Sequence, residues 1–82
     1  MNIPKVLTAQ AIDDRTLVVE FDNRQKRTYD ITPLLDKTMF SPLKNPALFK
    51  TAQVEQGGYA VVWNGDIDIS EHELWKNGQA AL

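Results

Sequence analysis

The chain has 82 residues, 9 Lys plus Arg against 11 Asp plus Glu, no Cys and 43% apolar residues, which describes one small domain spanning residues 1–82. A net charge of −2 argues against a general binder of nucleic acid or anionic membrane, since such proteins need surplus cations to displace counterions. The longest apolar run, Tyr59 to Trp63, is five residues, far below the roughly 20 that cross a bilayer.

In chain order, Pro4, Lys5, Thr8 and Gln10 interrupt any signal-peptide core, so the expected location is cytoplasmic. Residues 3–12 read as a first strand and 16–21 as a stronger one, with Leu17, Val19 and Phe21 on one face and Thr16, Val18 and Glu20 on the other. Residues 26–31 return, placing Tyr29 and Ile31 together. Uniting those two apolar sets requires odd positions to pair with odd, hence a loop with an odd number of residues. Asn23, Arg24 and Gln25 are the expected three, with Asn23 or Gln25 at positive φ because no glycine is present there.

Thr32-Pro33 and Asn45-Pro46 each read as a cap followed by proline at a first helical position. Met39, Phe40, Pro42 and Leu43 read as an apolar loop between two short helical turns. Residues 52–56 and 59–63 form a second hairpin about a two-residue Gly57-Gly58 turn, pairing Val54 with Val61 and placing Val54, Tyr59, Val61 and Trp63 on one face. Ser70 and Glu73 form a capping box for a last helix carrying Leu74 and Trp75 and ending at Gly78. The resulting class is α+β in the order β-β-β-α-β-β-α: two antiparallel hairpins and an N-terminal strand in one sheet, with short helices on one face. The ordered core spans about residues 4–78, with Leu17, Val19, Phe21, Tyr29, Leu43, Phe49, Val61, Trp63 and Leu74 inside.

Three groups of segments stand out: Tyr29-Asp30-Ile31 with Pro33-Leu34-Leu35, Phe40-Ser41-Pro42-Leu43 with Pro46 and Leu48-Phe49, and Trp63-Asn64-Gly65-Asp66-Ile67-Asp68 ahead of Leu74-Trp75. Taken together they resemble the domain-of-unknown-function (DUF) family 2442, a group of small bacterial proteins. The resemblance implies a compact α+β domain with no established enzymatic activity. It also implies either the front half of a longer helix-turn-helix chain or a stand-alone companion of a toxin-like protein; because nothing follows residue 82 here, the second form is expected. Where family members often show Asp-Gly in the first hairpin, this chain has Asp22-Asn23.

The polar segment from Asn64 to Glu73 holds six oxygen- or nitrogen-bearing candidates for metal, of which Asp66, Asp68 and His72 are the weak candidates kept. An EF-hand register from Asn64 puts Ile69 at the obligatory glycine, and one from Asp66 puts Glu71 there, so neither fits. The plainer account is a turn at Asn64-Gly65, core-facing Ile67 and Ile69, and Glu71 and Glu73 at the positive end of the last helix. With one His and no Cys, nucleophile-base sets and zinc-water sites lack parts, so no enzyme activity and no cofactor are expected.

Arg24, Lys26 and Arg27 put three cations in four residues near a hairpin tip. Val18 and Val62, with Ala60 and with Val6 or Ile12, point away from the expected core and could form an apolar patch on a free sheet face. The leading expectation is a non-catalytic protein-binding domain, regulatory or antitoxin-like, whose contacts are Arg24, Lys26, Arg27, Val18 and Val62 and whose partner is another protein, toxin-like in kind, or a second copy. The alternatives are a nucleic-acid-associated regulator using the three cations, against which the net charge of this domain argues, and a metal-binding or enzymatic protein using the 64–73 segment.

Overall fold

A computed structural model describes residues 3–80. Strands β1 (Val6–Ala11), β2 (Thr16–Phe21) and β3 (Lys26–Asp30) form an antiparallel meander. Two 3₁₀ turns, Thr32–Leu34 and Thr38–Lys44, and helix α1 (Pro46–Phe49) follow. Then come β4 (Gln53–Val54), β5 (Ala60–Asn64), β6 (Ile67–Ser70), helix α2 (Glu71–Asn77) and β7 (Gln79–Ala80). The class is α+β, as the segment order implies.

The single expected sheet is instead two: β1-β2-β3-β7 and β4-β5-β6. Three local causes separate them. Residues 31–52 form no strand, and they send Ile31, Leu35, Leu43 and Phe49 into the core. A register shift between Val6 and Thr8 disrupts β1 at the end where it nears the other sheet. There the backbone link is one bond, Val6 N–H to Gly58 O at 3.0 Å. On the opposite side β7 occupies the edge of β3, pairing Thr28 with Gln79 and Arg27 with Ala80. Neither β6 nor β7 is among the five strands anticipated. Ile67 and Ile69 do face inward, and the alternation that carries them is a strand paired to β5.

The first hairpin keeps the required odd-to-odd register, Leu17 opposite Tyr29 and Val19 opposite Arg27. Its loop is displaced by one residue, to Asp22, Asn23 and Arg24, because Phe21 N–H reaches Gln25 O at 2.9 Å. Positive φ therefore falls on Arg24, at 72°, and not on Asn23 or Gln25. Asn23 stays regular because its carboxamide oxygen accepts the Gln25 N–H.

The second hairpin holds Val54 opposite Val61, but its turn is wider than two residues: Glu55 N–H bonds to Ala60 O at 2.8 Å and Gly58 N–H to Glu55 O at 2.9 Å. Gly57 and Gly58 both take positive φ, and Tyr59 is turned out of the core to 55% exposure. Its ring lies under the Lys5 ammonium, 4.4 Å from the centroid. Ala60 and Val6, expected on the outside, are buried at 6% and 3%.

Asn45 caps α1 as expected, accepting the Ala47 N–H. Thr32 does not cap its own turn: its hydroxyl (2.6 Å) and its N–H (2.8 Å) both donate to the charged Asp30 Oδ1, and the Leu34 and Leu35 N–H groups bond to the Ile31 and Thr32 carbonyls. One core, fed by both sheets, contains all nine residues expected there, and Val6, Ile31, Leu35, Ile67 and Ile69 join them. Trp63 stacks on Phe49 at 6.0 Å and donates its indole N–H to the Phe49 carbonyl at 2.8 Å, which ties α1 to β5.

Candidate functional site

The three expected cations part company. Arg24 sits fully out on the hairpin loop, 3.9 Å from Glu20, a distance and exposure at which an ion pair contributes little. Lys26 is exposed beside it. Arg27, on the core-side face of β3, lies over Trp75 with its guanidinium carbon 4.0 Å from the ring centre. Trp75 in turn meets Phe21 edge-on at 5.1 Å. Arg27 Nε is buried without a hydrogen-bond partner, so this guanidinium covers the helix and is not presented at the tip.

Val18 and Val62 do not share a patch, because they stand on different sheets. Val18 is half-buried between Gln10 and Thr28, and Val62 lies between Gln53 and Asp68. The outer face of the four-stranded sheet is chiefly polar: Thr8, Gln10, Thr16, Glu20, Lys26, Thr28 and Asp30 surround Val18, with exposed Ile12 at its rim. The anticipated apolar face is thus a polar one with apolar points.

Asp66, Asp68 and His72 are exposed on a turn, a strand and a helix. Asn64 Oδ1 holds the turn by accepting Asp66 N–H at 2.9 Å. Among the described residues, no group of three or more His, Cys, Asp or Glu is placed to hold a metal ion. The neighbouring glutamates are engaged elsewhere: Glu71 Oε1 accepts from Lys5 Nζ at 2.9 Å, a hydrogen bond that also raises the Lys5 pKa above its ordinary value.

Glu73 organises a cleft of about 510 Å³ that no local sequence signal reveals. Ser70 Oγ accepts Glu73 N–H at 3.1 Å, which is half of the expected capping box. The Glu73 carboxylate turns away from the Ser70 backbone to accept the Tyr29 hydroxyl at 2.7 Å on one oxygen and the Asn77 amide at 2.9 Å on the other. Burial, and then the bond to Glu73, push the Tyr29 hydroxyl above its ordinary range. Asp30 forms another wall, its carboxyl held below the usual range by the Thr32 hydroxyl and N–H. Pro33 and Leu34 supply the apolar side, and Thr16, Thr28 and Gln79 complete the rim. The ingredients come from β2, β3, the first 3₁₀ turn, α2 and β7, and only the fold joins them.

A family model described as protein of unknown function (DUF2442) matches residues 6–80. No curated protein and no solved structure matches the chain.

Proposed function

Because the chain belongs to the DUF2442 family over nearly its whole length, and that family carries no assigned activity, we propose that it is a non-catalytic protein-binding domain, a regulatory or antitoxin-like companion of a second, toxin-like bacterial protein in the cytoplasm. One observation carries this reading. The four-stranded sheet is covered on a single face: Leu17, Val19 and Phe21 are 0% exposed, while none of the outward residues on β1, β2 and β3 is buried. An antiparallel sheet in water tolerates such a face, and the mixture found there, threonines and glutamine around Val18 with Ile12 at the margin, is that of a polar interface rather than an obligate apolar one.

The test is co-expression of the chain with the product of the gene beside its own, followed by purification of the native complex. A stoichiometric complex that Val18→Lys abolishes while leaving the far-ultraviolet circular dichroism unchanged is the expected result. If the folded V18K chain holds its partner as well as the parent does, or if no complex forms, the outer face is not the contact. The basic tip contributes at most Arg24 and Lys26, since Arg27 is committed to Trp75.

A further inference from the structure

The cleft beside Tyr29 has a chemistry of its own, at the margin of the outer sheet face with which it shares Thr16, Thr28 and Asp30. Among the described residues its lining holds two carboxylates, Asp30 and Glu73, and no Lys, Arg or His. Neither carboxylate is in an ion pair among the described residues. Arg15 is the cation whose charge reaches Asp30, and it bonds the strand through its backbone, Ile31 N–H to Arg15 O at 2.9 Å. Both acids are held in place by groups that leave acceptor capacity free. Asp30 uses only Oδ1, toward Thr32, while each Glu73 oxygen accepts one bond.

A strand edge opens into the same space. Odd residues of β3 bond to β2, as Phe21 N–H to Gln25 O and Ile31 N–H to Arg15 O show, so the Thr28 and Asp30 backbone groups point the other way. Thr28 is met by Gln79, but β7 begins there, and among the described residues no strand faces Asp30. Its backbone carbonyl adds an acceptor at the notch. Pro33 and Leu34 give an apolar wall beside these acceptors.

We propose that this cleft binds a guanidinium group carried on an aliphatic stem, with the stem along Pro33 and Leu34 and the planar head between the Asp30 and Glu73 carboxylates. A guanidinium brings five donors and no acceptor, the complement of a site rich in acceptors and lacking cations. Its source is either a free guanidino compound or an arginine side chain of another protein, and both present the same head.

The experiment titrates the full chain with agmatine and, separately, with a short peptide carrying one central arginine, following amide shifts by NMR. Saturable shifts of the Asn77 and Gln79 side-chain amides and of the Thr28 and Asp30 backbone, at roughly millimolar affinity or better, are expected. Asp30→Asn and Glu73→Gln, whose oxygens still accept from Thr32 and Tyr29, should each weaken binding at least about fivefold. Asp22→Asn, an exposed acid outside the cleft, should leave it unchanged. Binding of both probes marks a site for free guanidino compounds, and binding of the peptide alone marks an arginine of a partner. Absence of shifts with both probes, equal binding of a peptide with citrulline in place of arginine, or affinity indifferent to D30N and E73Q while those chains remain folded overturns the assignment.

Discussion

Single residues in this chain carry backbone demands that substitutions can expose. Arg24 occupies the left-handed region at φ 72°, where a Cβ costs on the order of 1 kcal/mol and glycine costs nothing. R24G should raise the urea midpoint slightly, with a net gain of up to about 0.5 kcal/mol after the extra freedom of glycine in the unfolded chain is counted. Gly58 has the opposite requirement: at φ 77° a Cβ would stand 2.5 Å from the Val6 carbonyl, which is backbone and cannot swing aside. G58A should therefore cost about 1–3 kcal/mol in the same denaturation measurement, and more if β1 must shift to make room. The composition of the first loop calls for a positive-φ residue and points to Asn23 or Gln25, whereas Arg24 takes that conformation. What decides between neighbours is which carbonyl Phe21 N–H finds, and that is a property of the paired strands.

At the scale of elements, helix α2 is tied to β3 by Tyr29–Glu73 and to β2 by Trp75 against Phe21. The Tyr29 hydroxyl is raised above its unfolded value near 10, so the folded state keeps this proton longer than the unfolded one does. A group shifted in that direction contributes stability that is whole below pH about 10 and is lost as pH rises from there toward the folded value. Denaturation curves for the parent and for Tyr29→Phe should therefore converge as pH increases above 10, with the parent falling the faster. The helix itself was legible from Ser70, Glu73 and Gly78, because a cap and a stop are local signals. The role of Glu73 was not, because its hydroxyl partner lies 44 residues away in sequence. The same division explains the strands. Thr16–Phe21 could be read from alternation alone, whereas β7 is two residues that are a strand only because β3 offers them an edge. The cleft is built at the end of that short pairing, so its legibility fails for the same reason.

At the scale of the whole molecule, the division into two sheets poses the question of whether they are two units or one. The backbone joins them weakly, through Val6 N–H to Gly58 O. The side chains join them strongly: Leu17, Val19 and Phe21 of one sheet and Val61, Trp63 and Ile69 of the other belong to one buried cluster, with Phe49 and Leu43 from the intervening segment among them. Neither sheet could keep its inner face dry alone, so unfolding should be a single all-or-none transition. Tryptophan reports on both halves, because Trp63 lies on β5 and Trp75 packs on Phe21 of β2. In W75F the fluorescence follows the three-stranded sheet, and in W63F it follows the four-stranded sheet and α2. Each variant should show its fluorescence and far-ultraviolet circular dichroism transitions at one common urea concentration. W63F should have the lower midpoint of the two, since removing the indole N–H takes the side-chain donor from the buried Phe49 carbonyl and loses ring area from the core, together about 1–3 kcal/mol. Separate transitions within either variant would mean that the sheets unfold as independent units and that the shared core does not couple them.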